Sequence, residues 1–363
     1  MPEFFGEYRK NLYLRLFKDC PMLEVSIIIP VYNGLPYIDR CLEAIVASGV
    51  SADKYEIIAV DDNSTDASLE KLQEWASKVE NMRVYHRRKA GPGGARNLGL
   101  NYAKGRYIMF VDVDDLVHSA SLAQLLNNLI PLYSHQIIGF DCVKVDAAGQ
   151  ETPFQNFVLP YCRDISGPDY MARYPLCGVL WSYLFNRSFL LKLNVRFLEK
   201  CVLEDEDFVT RVFGRAEQVT FLPVQLYYYY AENKSGLSNI PDPAHQSRLM
   251  HDRLMVITGL KRMREAICDP QLEEGLDRKL SDLAVDTIRI LISKPYDEEQ
   301  ISAALDTLSK LSLYPVPQGD YGGAYNRLRR ATDTPRKVLR WKRRRSSPLW
   351  RRWASRFLHL RLG

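Results

Sequence analysis

Three aspartates, Asp112, Asp114 and Asp115, fall within four residues directly after the apolar run Tyr-Ile-Met-Phe-Val. Carboxylates this close repel one another, so the cluster costs stability unless a cation binds among them. Alternate residues at a strand end point the same way, which lets Asp112 and Asp114 face one site. Their hard oxygen atoms suit Mg²⁺ or Mn²⁺, and the cluster therefore predicts a divalent metal site. The alternative is a solvated turn that caps a helix at Ser119.

A second acidic cluster, Glu204-Asp205-Glu206-Asp207, stands immediately before a helical pattern that includes Phe208. The helix dipole favours acidic residues at a helix N-terminus, and this alone would account for the cluster. A catalytic base also requires a carboxylate on a fixed element that faces the nucleophile. On the residues alone, both interpretations stay open.

Polar residues also follow two other apolar runs. Tyr32 and Asn33 follow Val-Ser-Ile-Ile-Ile-Pro, and Asp61 and Asp62 follow Tyr-Glu-Ile-Ile-Ala-Val. Such continuous, β-branched runs are typical of strands covered on both faces. Each polar pair alone could be a turn or a helix cap. Ligands bind beyond the carboxyl ends of strands in open parallel sheets, however, so several polar clusters at one edge indicate a binding site.

A glycine-rich segment, Gly91-Pro-Gly-Gly-Ala-Arg96, follows a third strand pattern and opens a helix. Its backbone amides and its arginine suit contact with a phosphate or a nucleotide. The segment also resembles the dinucleotide fingerprint of an oxidoreductase. Against that function, Arg96 stands at the third glycine position, and the segment does not follow the first strand.

These segments lie in alternating strand and helix patterns, which predict an α/β fold with a parallel sheet. Strands are predicted at 25–30, 55–60, 82–86 and 107–111, and helices at 35–47, 66–79 and 93–103. Ser64, Thr65 and Asp66 are good capping residues for the second helix. Further on we expect a strand at 136–143, apolar runs at 178–185 and 218–230, and a helical region at 244–310.

Several segments, taken in order, resemble the motifs of family 2 glycosyltransferases: 25–33, 60–66, 94–99, 105–115 and 204–208. Residues 181–190 and the tyrosine-rich residues 227–238 are similar to members that build bacterial cell-envelope polysaccharides. The resemblance implies the GT-A fold, a mostly parallel central sheet flanked by helices, with a helical C-terminal extension. It also implies an inverting hexosyl- or N-acetylhexosaminyltransferase that uses a nucleotide-diphosphate sugar, with a UDP-sugar the first expectation, and Mn²⁺ or Mg²⁺.

The resemblance implies a role for each motif residue. The nucleotide-sugar site would contain Pro30, Tyr32, Asn33, Asp61, Asp62, Arg96 and Asp112. Among these, Asp61 would contact the base or the ribose. Asp112 and Asp114 would be the Asp-x-Asp metal residues, with Asp114 the direct ligand and Asp115 adjacent. Asp205, preceded by Glu204, would be the base that deprotonates the acceptor hydroxyl.

Two positions depart from the family pattern. Asn63 replaces the usual glycine of the second motif, and asparagine tolerates a positive φ. An arginine that often follows the tyrosine run is absent after Tyr230. The expected organisation is an N-terminal amphipathic segment (1–23), a catalytic domain (24–240) with a nucleotide-sugar half (24–118) and an acceptor half (119–240), a helical extension (241–326) and a basic aromatic tail (327–363).

The charge of the chain is unevenly distributed. Its net charge is +5, but residues 327–363 carry 14 Lys or Arg and one acid, so the rest of the chain is net acidic. This pattern argues against nucleic acid as a partner of the whole body and indicates a local anionic partner. Trp350, Trp353, Phe357 and Leu360 recur in the tail at helical spacing, which favours an anionic membrane surface. RNA contact and a solvated, disordered tail are the alternatives.

The seven cysteines are scattered, without a Cys-x-x-Cys pair, which predicts reduced thiols. No apolar run approaches the roughly 20 residues that cross a bilayer, and no signal-peptide pattern is present. We therefore expect a cytoplasmic protein, peripheral on the cytoplasmic face of the inner membrane. Its expected partners are the nucleotide-sugar donor, a glycan or lipid-linked glycan acceptor and the membrane surface, with no nucleic acid.

Two other functions compete with a glycosyltransferase. The first is a non-catalytic, glycosyltransferase-like protein that binds nucleotide or acts as a scaffold. Such a protein does not need both metal ligands and a base, whereas this chain retains Asp112, Asp114 and Asp205. The second is a nucleotidyltransferase, which would usually place a basic glycine-rich loop after the first strand, where this chain has Tyr32-Asn33-Gly34-Leu35.

Overall fold

The computed structural model describes residues 23–88, 90–154, 159–230, 242–318 and 323–343 of the 363-residue chain. Residues 1–22 of the expected amphipathic segment and residues 344–363 of the tail, with Trp350, Trp353, Phe357 and Leu360, lie outside this description. In the described part, no helix is both long enough and apolar enough to cross a membrane.

Four parallel strands with intervening helices form the first half of the molecule. The strands are β1 (Val25–Val31), β2 (Tyr55–Asp61), β3 (Met82–His86) and β4 (Tyr107–Phe110), and the helices are α1 (Leu35–Val46), α2 (Ser68–Ala76) and α3 (Gly91–Tyr102). Their order in the sheet is β3-β2-β1-β4. Every residue of β2 is buried, and burial of each isoleucine side chain is worth roughly 1.5–3 kcal/mol. Gly99 brings α3 close to β1, since a Cβ there would lie 2.5 Å from the Ile28 side chain.

The second half extends the same sheet with mostly antiparallel pairings. Its elements are β5 (Leu116–Val117), α4 (Ser119–Gln124), β6 (Ile137–Val145), β7 (Glu151–Pro153), α5 (Gly167–Arg173), β8 (Tyr183–Asn186), α6 (Arg187–Leu193), α7 (Glu204–Phe213) and β9 (Val219–Tyr230). The order is β3-β2-β1-β4-β8-β6-β9-β5, and β7 pairs with β6. Strand β8 runs antiparallel to both of its neighbours, β4 and β6.

The predicted α/β fold is confirmed, with one correction to the sheet. Four of the eight strand pairings among the described residues are parallel, so the sheet is mixed. The pairings among the first four strands are all parallel, and the fourth parallel pairing joins β6 to β9 in the second half. The difference arises because the four antiparallel pairings all involve strands of the second half. Among them, β6 and β7 are joined directly through residues 146–150, since an antiparallel pair needs no crossover helix.

Within the described residues, five helices follow the sheet: α8 (Pro243–Glu265), α9 (Pro270–Ser293), α10 (Glu298–Lys310), α11 (Gly323–Ala331) and α12 (Pro335–Arg343). They share a hydrophobic core of their own, which includes Ile257, Leu280 and Leu305. Helix α10 begins with a capping box formed by Asp297 and Gln300.

The start of α2 differs from the prediction. The helix begins at Ser68 instead of Asp66, and the residue before it, Ala67, makes no side-chain capping hydrogen bond. The Asp66 carboxylate accepts a hydrogen bond from the Ser68 N–H (3.1 Å), while the Ser68 hydroxyl accepts one from the Gly34 N–H (2.9 Å). These side chains are therefore used to join the loops after β1 and β2.

The six cysteines in the described part of the chain are free thiols. Cys41, Cys142 and Cys201 are buried, whereas Cys162 and Cys268 are exposed. The prediction of reduced thiols agrees with this arrangement.

Candidate active site

The loops that follow β1 and β2 form one side of the site. Asn33 donates its N–H to the Ser64 hydroxyl (2.9 Å) and accepts the Thr65 N–H (2.8 Å) on its side chain. Asn33 and Asn63 both have positive φ, 50° and 66°, as expected for residues that tolerate this conformation. Tyr32 is 39% exposed beside them. The structure thus brings the two predicted loops together.

Asp61 and Asp62 are both buried but contact different elements. Asp61 lies 2.8 Å from Nδ1 of His86, its register partner on β3, and accepts the Ser64 N–H. The Asp62 carboxylate accepts the N–H groups of Ala90 (2.9 Å) and Gly91 (2.8 Å). These amides have no partner within α3, so Asp62 fixes the start of that helix. The structure gives Asp62 a positioning role that the sequence did not predict.

The three aspartates after β4 differ in exposure. Asp112 and Asp114 are partly exposed, and Asp115 is buried. Asp115 accepts the Tyr227 hydroxyl (2.8 Å) and the Tyr230 N–H (2.9 Å), and the same hydroxyl accepts the Asp112 N–H (3.1 Å). Burial raises the pKa of Asp115 well above its usual value, and the charges of Asp112 and Asp114 add to the effect. Asp115 therefore ties the metal-motif loop to the end of β9.

We predict that Asp115→Ala destabilises the fold. It leaves the Tyr227 hydroxyl and the Tyr230 N–H without their acceptor, which should lower the free energy of unfolding by about 2–4 kcal/mol. Urea denaturation measures this value. The matched variant Asp115→Asn, which keeps an oxygen for Tyr227, should lose less. If Asp115→Ala is as stable as the wild type and has lost only metal-dependent nucleotide binding, Asp115 is a metal ligand instead.

The carboxylate oxygens of Asp112 and Asp114 fit a divalent metal whose remaining coordination positions are filled by a bound ligand. In the ranges that the structure covers, no three His, Cys, Asp or Glu side chains come together as a preformed metal site. Mg²⁺ is usually held by one or two carboxylates together with substrate phosphates and water. The partly exposed pair Asp112 and Asp114 matches this requirement, whereas Asp115 faces the protein.

Arg96 joins the two acidic clusters. Its guanidinium donates to Glu204 Oε1 (2.5 Å) and to Asp112 Oδ1 (2.8 Å), and the residue is 6% exposed. Burial opposes the charged form, but Asp112 and Glu204 together raise the pKa of Arg96 above its usual value. Such charge-assisted pairs fix geometry as well as adding energy. The arginine predicted to bind nucleotide thus also holds the β4 end against the start of α7.

Within the second cluster, Asp205 is the member that remains partly exposed. The other three are buried and pair with basic side chains, Glu204 with Arg96, Glu206 with Lys279 and Asp207 with Arg211. The Asp205 carboxylate accepts the Glu206 N–H (2.8 Å).

The surroundings of Asp205 favour its protonated form. Burial raises the pKa of Asp205 to about 8, with contributions from the charges of Glu204 and Glu206 against that of Arg96. A general base is most effective when its pKa lies near the working pH. Asp205 is therefore suited to accept a proton from a hydroxyl group.

Sequence reasoning missed several residues that shape the site. His86 was detectable, because it ends β3 at the same sheet edge as Asp61. Arg40, on α1, donates to the Asp114 backbone oxygen (2.5 Å) and lies 4.4 Å from the Tyr230 ring centre. Lys279 lies in the helical region where no motif was recognised. Neither Arg40 nor Lys279 has a sequence signal, since their partners are distant in the chain.

The known proteins to which this chain is similar include several glycosyltransferases. A family model described as glycosyl transferase family 2 matches residues 26–147. The chain is 32% identical over 227 residues to the uncharacterized glycosyltransferase EpsJ of Bacillus subtilis, covering 60% of this chain and 63% of EpsJ. It is 44% identical over 107 residues to the poly(ribitol-phosphate) beta-glucosyltransferase of Bacillus spizizenii, covering 29% of this chain and 17% of that protein. The chain therefore spans less than two thirds of the length of each relative.

Among solved structures, Staphylococcus aureus TarS 1–349 in complex with UDP-GlcNAc superimposes with a TM-score of 0.59. The match covers 88% of this chain and 91% of that one, at 17% sequence identity. At this identity the likeness concerns the fold, which is GT-A in both.

Proposed function

We propose, from the membership of residues 26–147 in the family 2 glycosyltransferases, that this chain transfers a sugar from a nucleotide-diphosphate sugar to a hydroxyl acceptor with inversion. One observation carries the proposal. Arg96 pairs with Asp112 at the end of β4 and with Glu204 at the start of α7, so the metal motif and the base motif lie at one site. This juxtaposition supports a transferase, which needs both motifs at one site, over a protein that only binds nucleotide.

The proposed reaction follows from the roles of these side chains. Asp205 accepts the proton of the acceptor hydroxyl, whose oxygen forms the new bond to the anomeric carbon as the bond to the diphosphate breaks. Attack from the face opposite the leaving group inverts the anomeric centre. Asp112 and Asp114 would hold Mn²⁺ or Mg²⁺, which supplies neutralisation of the charge on the departing diphosphate when bound. Arg96 and Glu204 keep the base and the metal residues in a fixed relation.

The donor is proposed to be a UDP-sugar of the hexosyl or N-acetylhexosaminyl type. Pro30, Tyr32 and Asn33 would line the nucleotide pocket, where the exposed ring of Tyr32 offers a face for a base. Asp61 was expected to contact the base or the ribose, but it is buried against His86, and no direct contact is proposed for it. The UDP-GlcNAc complex of TarS, which shares the fold, supports this donor class.

The acceptor is proposed to be a glycan or a lipid-linked glycan of the bacterial envelope. Similarity to a poly(ribitol-phosphate) beta-glucosyltransferase supports this class of acceptor. The exposed side of α12 carries Arg336, Lys337 and Arg340, while Val338 is buried. We propose that this basic surface and the tail beyond it dock on anionic lipid at the cytoplasmic face of the inner membrane, where each basic residue near the surface contributes about 1 kcal/mol.

Calorimetric titration with UDP, GDP and dTDP, with and without Mn²⁺, tests the donor site. We expect one nucleoside diphosphate to bind in a metal-dependent manner, with affinity at least about tenfold weaker in Asp114→Ala because one hard oxygen ligand is lost. Asp53→Ala, which removes an exposed aspartate on the loop before β2, is the matched control. Absence of binding in the wild type contradicts the proposal, and binding without turnover of any sugar donor favours the non-catalytic alternative.

A further inference from the structure

The segment that leads into α7 packs against the C-terminal helices. Cys201, Leu198 and Leu203 belong to or contact the hydrophobic core that these helices share. The Val202 N–H donates to the Asp252 carboxylate on α8 (3.1 Å). Arg248, also on α8, donates to the backbone oxygen of Lys200 (2.9 Å). The helical region therefore supports the chain directly before Glu204 and Asp205.

A buried ion pair also joins α7 to α9. Lys279 on α9 pairs with Glu206, and the two residues are 4% and 5% exposed. The ammonium group of Lys279 also donates to the backbone oxygen of Leu176 (2.9 Å). Gly178 closes the other side, since a Cβ there would lie 2.1 Å from Glu206 Oε2. Glu206 is thus confined between α9 and residues 176–178.

The position of Glu206 matters because it is next to Asp205. Glu204 and Glu206 flank Asp205 on α7, Arg96 faces the cluster from α3, and Lys279 faces it from α9. Without Lys279, Glu206 would lose the cation that pairs with it beside the base. A buried carboxylate without its partner is costly, and a like charge disfavours ionisation of its neighbour.

Resting on the proposed function, we propose that Lys279 is a positioning residue of the reaction: it neutralises Glu206 and fixes the first turn of α7, so that Asp205 is the carboxylate presented to the acceptor. The C-terminal helices then belong to the catalytic machinery through this contact. Lys279 acts through Glu206 and touches neither the donor nor the acceptor in this proposal.

The test measures the pKa of Asp205 from the ¹³Cγ shift of labelled aspartate, with the signal assigned by its loss in Asp205→Asn. Lys279→Met should raise this pKa by about one unit, because the charge of Glu206 is no longer offset by the ammonium group of Lys279. Glu206→Gln should lower it, and the double variant should return it near the wild-type value. The part of the pH profile in which turnover increases with pH should shift with the pKa of Asp205. For Lys279→Met, the turnover rate at neutral pH should therefore be about tenfold lower than in the wild type, and it should recover at high pH.

Lys310→Met, which removes an exposed lysine at the end of α10, is the matched control and should change neither value. If Lys279→Met does not fold, the inference is tested by the other two variants. The pKa of Asp205 should be lower in Glu206→Gln and return near the wild-type value in the double variant. The inference is overturned if the Asp205 pKa is the same in all variants. If the pKa values shift as expected but the wild type turns over no sugar donor, the proposed function fails while the charge coupling stands.

Discussion

Replacement of Asp205 by Asn should lower the rate of sugar transfer by about 10²–10⁴-fold while the affinity for nucleoside diphosphate and Mn²⁺ stays unchanged. Asparagine has nearly the same shape but cannot accept a proton at the carboxyl position. The residues proposed to bind the nucleotide-sugar at the ends of β1, β2 and β4 are unchanged in this variant. Steady-state kinetics and calorimetry on the same preparation separate the two effects.

The matched control for this prediction is Asp207→Asn. Asp207 is buried and pairs with Arg211 one turn along α7, with a distance of 2.9 Å to Nε. The same chemical change there should leave the rate of transfer within a few-fold of the wild type. If Asp207→Asn abolishes transfer and Asp205→Asn does not, the base has been assigned to the wrong carboxylate.

The same residue should set the pH dependence of transfer. A base acts in its unprotonated form, and burial raises the pKa of Asp205 to about 8. The rate should therefore increase tenfold per pH unit well below pH 8 and level off above it. Turnover with saturating donor, measured from pH 6 to about pH 10, checks this. A transfer rate that does not change from pH 6 to 8 contradicts a raised pKa for Asp205.

Arg96→Met should have the largest effect on stability. It leaves Glu204 buried without its partner and removes the link to Asp112. Loss of one partner of a buried ion pair typically costs about 3–5 kcal/mol, and we expect a decrease of that size in the free energy of unfolding. Transfer should be lost as well, since the two acidic clusters are no longer held together. Urea denaturation followed by circular dichroism measures the first effect.

Two further variants test the reason for this loss. Arg96→Met combined with Glu204→Gln should recover part of the stability, because a neutral amide replaces the unpaired carboxylate. Arg264→Met removes a partly exposed arginine that pairs with Asp277 (2.9 Å), and should cost only about 1 kcal/mol or less. Equal decreases in the free energy of unfolding for Arg96→Met and Arg264→Met would show that the ion pairs of Arg96 with Asp112 and Glu204 do not contribute more than an ordinary surface pair.

The fold of the first half follows closely from its sequence. Strand β3 was predicted with the observed bounds, and α1 was predicted to end one residue later than it does. These elements consist of continuous apolar runs or amphipathic repeats, which report burial directly. The start of α2 was misplaced because the Asp66 carboxylate accepts the Leu35 N–H (3.4 Å) and the Ser68 hydroxyl accepts the Gly34 N–H (2.9 Å), so both side chains bind the start of α1.

The sequence predicted candidate site residues but not the contacts that join them. Asp112 and Asp205 were recognised as separate motifs, and nothing in their spacing indicated that Arg96 joins them. The partners of Arg96 lie 16 and 108 positions away in the chain, and such pairs are fixed only by packing. Lys279 had no local signal for the same reason, because the sequence around it reads as an ordinary amphipathic helix.

We propose that the chain uses a nucleotide-sugar donor in a metal-dependent manner at Asp112 and Asp114. The most direct test is release of nucleoside diphosphate from a panel of UDP-, GDP- and dTDP-sugars with Mn²⁺, comparing the wild type with Asp114→Ala. Slow, metal-dependent release from one donor, abolished by the substitution, is the predicted result. Equal release by both proteins would contradict a metal site at Asp114. No release and no binding of any donor by the wild type would contradict the proposed donor site.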